Sequence, residues 1–187
     1  AIASAVMTIA GPGDEVLLPI PCWVSYTEMI RLAGAEPVFV PVCDSDYSLD
    51  LKAIEAAITQ KTKAIIICTP NNPTGAVYSE ESLRHLAELA MKYDFFIVAD
   101  EIYEKLVYDG AKHFSVASVS NEVRDHVVTV NGFSKAYAMT GWRIGYAAAR
   151  RDVIKGIMAI QSQTTSAASA ISKKASKRPA RSTLWPA

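Results

Sequence analysis

The sequence predicts an α/β domain built on a mostly parallel sheet, and three observations carry the prediction. Short apolar runs alternate along the chain with segments of helical periodicity, the pattern of repeated strand–helix units. Two of the runs, Ala64-Ile65-Ile66-Ile67-Cys68 and Phe95-Phe96-Ile97-Val98-Ala99, are apolar throughout, as strands covered on both faces are. Turn-forming and polar residues gather directly after those runs, where the carboxyl ends of parallel strands place ligand-binding loops.

In chain order, Ile2, Val6, Ile9 and Ala10 suit a buried helix that stops at Gly11-Pro12-Gly13. A short strand is expected over 15–18, ended by Pro19 and Pro21. Helical spacing of Tyr26, Met29, Ile30 and Ala33 predicts a helix over 23–33, with Gly34 as its stop. A strand follows over 37–42, then a helix over 51–58 that Asp50 can cap. After the strand at 63–68 comes Thr69-Pro70-Asn71-Asn72-Pro73-Thr74-Gly75, dense in turn formers. Ser79 caps an amphipathic helix reaching Tyr93, with Leu83, Leu86, Ala87, Ala90 and Met91 on one face. The strand at 95–99 runs into Asp100-Glu101-Ile102-Tyr103. Residues 109–126 read as loop and short helix, 127–130 and 144–148 as strands, and 151–163 as a helix. From Ser172 the apolar periodicity is lost, and 172–187 is expected to be a disordered basic tail.

Composition excludes several classes of function. Half of the 187 residues are hydrophobic and a fifth are charged, as in a soluble globular protein with one substantial core. Charges interrupt every candidate membrane span. Residues 1–10 lack a basic start, so a leader peptide is not expected, and they read as a helix cut from something longer. Net charge is zero, but 172–187 hold five basic residues and no acid, which leaves 14 basic against 19 acidic elsewhere. That mildly acidic body gives no support for nucleic-acid binding. Cys22, Cys43 and Cys68 lack metal-ligand spacing and read as free thiols in a reducing, cytoplasmic compartment. His85, His113 and His126 show no ligand spacing, and no metal is expected. Phosphate-loop, dinucleotide and nucleophile-elbow motifs are absent.

The chemistry gathers around Gly132-Phe133-Ser134-Lys135-Ala136-Tyr137-Ala138-Met139-Thr140-Gly141-Trp142-Arg143-Ile144-Gly145. A lysine among small residues just past an apolar strand is costly to bury unless it has chemistry or a partner. Lys135 is read as carrying an aldehyde cofactor as a Schiff base and as the general acid/base of a proton shift. Asp100 ends five apolar residues; a protonated pyridine nitrogen would partner its carboxylate, and a strand-end turn or helix cap is the plain alternative. Tyr103 and Asn72 could hydrogen-bond a phenolic oxygen, or could serve as packing and as a turn residue. Arg143 and Ser134 suit a phosphate, although Arg143 could instead pair with an acid. Trp23 could stack on the ring or simply pack. Together these groups meet the demands of pyridoxal phosphate.

At these residues the chain resembles the class I aminotransferases, fold type I pyridoxal-phosphate enzymes, in the branch of bacterial-type aspartate aminotransferases. The resemblance covers roughly 1–172. It rests on Pro12-Gly13-Asp14-Glu15-Val16, Pro21-Cys22-Trp23-Val24-Ser25-Tyr26, Asn71-Asn72-Pro73-Thr74-Gly75, Asp100-Glu101-Ile102-Tyr103 and the lysine segment. It implies the three-layer α/β/α large domain of that fold type. It implies that Lys135 binds the cofactor, Asp100 its ring nitrogen, Tyr103 and Asn72 its phenolic oxygen, and Ser134 and Arg143 its phosphate. Trp23 would stack on the ring, and Trp23 and Asn72 would also touch the substrate. The implied activity is transamination between an amino acid, aspartate or glutamate, and a 2-oxo acid, in a homodimer. Other reactions of the fold type (elimination, decarboxylation, cyclopropane formation), a non-catalytic cofactor-binding module and an inactive fragment are the alternatives. The family's chains are much longer, with a glycine-rich phosphate loop before this segment and a substrate-gripping arginine in a small domain after it. Ala149-Arg150 stands where Gly-Pro is expected. Residues 1–171 therefore read as the central part of the large domain, and 172–187 as foreign to the family.

Overall fold

The run at 64–68 sorts its side chains by parity. The structure, a computed structural model describing residues 1–176, places it in β3 (Thr62–Cys68). Ala64, Ile66 and Cys68 join one apolar core, and Ile65 and Ile67 join another, because successive strand residues face opposite sides of a sheet. The same sorting holds in β1 (Glu15–Ile20), where Val16 and Leu18 face the first core and Leu17 the second.

The sheet has six strands in the order β2 (Glu36–Pro41), β1, β3, β4 (Phe96–Asp100), β5 (Val127–Gly132) and β6 (Gly145–Ala148). All neighbouring pairs are parallel except β5–β6. The first core lies under α1 (Ile2–Ile9), α2 (Ser25–Leu32) and α6 (Arg151–Thr164), through Ala5, Val6, Ile30, Val153 and Ile157. The second lies under α3 (Leu51–Ala57), α4 (Glu80–Tyr93) and α5 (Asn121–Asp125), through Ile54, Leu83, Leu86 and Val123. Helices on both faces make the three-layer arrangement the sequence predicts. The predicted caps form: Asp50 accepts from the Ala53 amide at 2.9 Å, and Ser79 from the Ser82 amide at 3.1 Å.

Two expectations shift, and one strand departs from the parallel majority. The helix expected from Trp23 begins at Ser25, so Trp23 lies in the loop after β1. β6 runs antiparallel to β5, because a parallel return needs a crossover of about a dozen residues, usually a helix; residues 133–144 are loop and one short 3-10 turn. The basic tail does not start disordered at Ser172. Helix α7 (Ala170–Ser176) includes its first five residues, and the Ser172 hydroxyl donates to the Trp142 carbonyl at 2.8 Å. The rest of the expected tail, 177–187, lies outside the described residues. Among the described residues no helix is long and apolar enough to cross a membrane.

Two features of this topology position a site. The last residues of β3 and β4 are level with Val130 of β5, with Cys68 paired to Asp100 and Asp100 to Val130, and β5 runs two residues further. The chain also steps from β1 to β2 on one side and then back to β3 on the other, and crevices at such switch points bind ligands.

Candidate active site at the strand ends

The loops leaving the carboxyl ends of β1, β3, β4 and β5 enclose a cavity of about 490 Å³. Trp23, Asn72, Asp100, Tyr103, Ser134, Lys135 and Arg143 all line it, so seven residues spread over 121 positions converge on one space.

Each is delivered by local chemistry. After β3, the turn's internal hydrogen bonds run through Asn71, whose Oδ1 accepts from the Thr74 amide at 3.3 Å and hydroxyl at 3.1 Å. Asn72 can therefore face the cavity. After β5, the lysine loop leaves and re-enters the sheet at two glycines. A Cβ on Gly132 would stand 3.0 Å from the Ile144 carbonyl oxygen, and one on Gly145 would stand 2.9 Å from that of Asn131. Only hydrogen side chains let β5 and β6 approach so closely. Within the loop the Thr140 hydroxyl donates to the Ser134 carbonyl at 2.9 Å. Arg143 sits in the left-handed region at φ 49°, and its Nη1 donates to the Thr140 carbonyl at 2.9 Å. The guanidinium forms no ion pair with a described carboxylate. Lys135 is exposed to the cavity, its Nζ 5.6 Å from the centre of the Tyr103 ring.

Asp100 is only 5% exposed. Its Oδ2 accepts from the Tyr26 hydroxyl at 2.6 Å and its Oδ1 from the Ile102 amide at 3.2 Å. Burial pushes its pKa up, the neighbouring Glu101 adds to the rise, and the two hydrogen bonds oppose it. No described basic side chain pairs with it. The cavity thus has a buried acid lacking a cationic partner at its base and two exposed cations in the loop at its rim. This donor set fits a ligand that carries a protonated ring nitrogen together with an anionic group, as pyridoxal phosphate does.

Tyr26 is the site residue that sequence reasoning missed. Its helical spacing with Ile30 marks it as core, and it is 1% exposed, yet it lines the cavity, bonds Asp100 and meets the Trp23 ring edge-on with centroids 5.3 Å apart. Its place three residues after Trp23 was the available signal. His113, read as a lone loop histidine, instead lies beside two acids: its Nε2 is 3.5 Å from Glu101 Oε2, and potential ligand atoms of Glu101, Glu104 and His113 fall within 4.8 Å of one another. Glu101 turns away from the cavity and accepts from the Ser115 hydroxyl at 2.6 Å.

Comparison with known proteins agrees with this geometry. Residues 1–182 match the model of the family "aminotransferase class I and II". An aspartate aminotransferase of Bacillus sp. (strain YM-2) is 48% identical over 159 residues, which cover 84% of this chain and 41% of that one. A bifunctional aspartate aminotransferase and glutamate/aspartate-prephenate aminotransferase of Petunia hybrida is 49% identical over 93% of this chain and 36% of its own. Among solved structures, a single mutant of Thermus thermophilus aspartate aminotransferase superimposes with a TM-score of 0.89 at 45% identity, covering 94% of this chain and 45% of that one. The chain thus spans less than half the length of these relatives. With the fold, the strand-end cavity and the similarity in agreement over nearly all of its residues, the chain belongs to the class I and II aminotransferases, a family of pyridoxal-phosphate-dependent enzymes.

Proposed function

We propose that the chain supplies the cofactor-holding part of an aminotransferase that moves an amino group between aspartate or glutamate and a 2-oxo acid. The observation that supports this most is the convergence of Lys135, Arg143 and a buried Asp100 without a basic partner on one cavity. Pyridoxal phosphate would supply a carbonyl carbon that accepts the substrate's amine and a ring that draws electrons from its α-carbon.

The protein's own groups do the rest. Lys135 Nζ would hold the cofactor, and the same amine is the group that would carry a proton to and from the substrate's α-carbon. The Asp100 carboxylate binds the ring nitrogen in its protonated form. The Tyr103 hydroxyl and the Asn72 amide donate to the phenolic oxygen. Arg143 and the Ser134 hydroxyl hold the phosphate, the guanidinium offering a fork of donors. Trp23 covers one face of the ring, and with Asn72 it borders the substrate. The names of the relatives favour aspartate and glutamate as amine donors and leave prephenate as a candidate acceptor. A homodimer working in the cytoplasm completes the reading.

The test is spectroscopic. The protein incubated with pyridoxal phosphate should show the visible absorption of a lysine-bound cofactor, and Lys135→Ala should abolish it. Aspartate should remove the band and a 2-oxo acid should restore it. A protein without the band would overturn the proposal, and a band that ignores every amino acid would overturn the transamination.

A further inference from the structure

Asp100 ends a short polar chain whose other two members, Tyr26 and Cys68, have no task in the proposed reaction. Tyr26, on α2, donates to Asp100 Oδ2 at 2.6 Å. Cys68, at the end of β3, is the register partner of Asp100. It lies near enough to the Tyr26 hydroxyl to affect its ionisation, and its thiol donates to the Pro70 carbonyl at 3.2 Å. All three residues are buried.

The kinds of group matter. Burial pushes the Tyr26 phenol far above its ordinary range, and nearby Asp100 adds to the rise. Burial likewise pushes the Cys68 thiol up to about 12. Both therefore stay neutral, and Asp100 is the one member of the chain that can ionise near neutral pH. An arginine or lysine in the place of Tyr26 would stabilise the carboxylate but would also cancel its charge. A phenol donates a hydrogen bond and leaves the charge intact. The second oxygen, held by the Ile102 amide, fixes the plane of the group.

We infer that Tyr26 is a positioning residue that keeps Asp100 ionised and oriented without neutralising it, so that the charge is reserved for a cationic ring nitrogen entering from the cavity. Cys68, whose own proton goes to the Pro70 carbonyl, leaves the phenol to donate to Asp100. Through its edge contact the same tyrosine also steadies Trp23, so one side chain sets two walls of the site. The ring-nitrogen part of this inference rests on the proposed cofactor; the part concerning the carboxylate does not.

Two measurements on the full-length protein separate the parts. In the cofactor-free protein, the Asp100 carboxyl is titrated by carbon NMR. The charged groups bearing on it are Glu101 beside it and, on the same cavity, Lys135 and Arg143, and none of these changes in Tyr26→Phe. That substitution keeps the ring and removes the donor, so the Asp100 titration should move to higher pH, and Cys68→Ala should move it less. An unmoved titration in Tyr26→Phe overturns the inference whether or not the cofactor binds. In the second measurement, pyridoxal phosphate affinity is followed against pH by fluorescence. Tyr26→Phe should weaken binding about tenfold at neutral pH, the scale of one hydrogen bond to a charged group, and less as pH rises. In an Asp100→Asn background Tyr26→Phe should have no further effect. An equal loss in both backgrounds would mean that Tyr26 acts by packing alone, and would overturn its positioning role.

Discussion

Asp100 shows how a single residue can be placed against the stability of its own fold. Its folded-state pKa is raised, chiefly by burial. A carboxyl of this kind binds its proton more tightly folded than unfolded, so its contribution to stability is full below the unfolded pKa of about 4 and is lost as pH rises through the folded value. In the cofactor-free protein, Asp100→Asn should therefore raise the urea midpoint at neutral pH, and the gain should shrink toward zero as pH falls to about 4. The same substitution should weaken pyridoxal phosphate binding. A midpoint lower than wild type at every pH would show that Asp100 is already satisfied without a ligand. Most cavity residues were legible because each is unusual for its setting: a lysine among small residues, an acid after five apolar ones. Tyr26 was hidden because a buried tyrosine at helical spacing looks like core, and it is core on one side. His113 was hidden because the acid beside it, Glu101, approaches it only through the folded loop.

Among the elements, those with internal periodicity were readable and those decided by partners were not. The strand at 63–68 and the helix after Ser79 appear within a residue or two of their expected ends. The direction of β6 is not a property of residues 145–148; it follows from a connection that returns beside β5 with no crossover helix. Removing the Ser79 cap by Ser79→Ala should cost about 1 kcal/mol in urea unfolding. The contact of α1 with α6 is more sensitive. A Cβ on Gly156 would collide with the Thr8 side chain, so Gly156→Ala should destabilise by about 1–3 kcal/mol, the scale of overpacking. Gly145→Ala should act differently, separating β6 from the Asn131 carbonyl at the base of the lysine loop. Its expected signature is cofactor affinity lost well before the thermal midpoint falls, measured by titration and by calorimetry.

At the scale of the molecule, the described surface has a second and larger concavity of about 1120 Å³, lined by α1, α6, α7 and β6. Met7, Leu32, Trp142, Tyr146 and Ile171 on it are exposed, and Asp100 and Lys135 do not reach it. Apolar surface of this kind binds hydrophobic dyes and promotes association. The chain should enhance dye fluorescence and sediment as a species larger than a monomer, and Leu32→Glu should reduce both. The smaller cavity is governed differently, by the paired residues Cys68, Asp100 and Val130 of β3, β4 and β5. Backbone hydrogen bonding sets neighbouring strands about 4.8 Å apart, so these three residues span roughly 10 Å. The sheet is thus a ruler with fixed graduations: Asp100 stands on one mark, and the loops that carry Asn72 and Lys135 leave from the marks on either side. Side-chain substitutions can change what is gripped at a mark but not the interval between marks. The width of ring this scaffold accepts belongs to its backbone, and a ligand of different breadth would call for a different sheet.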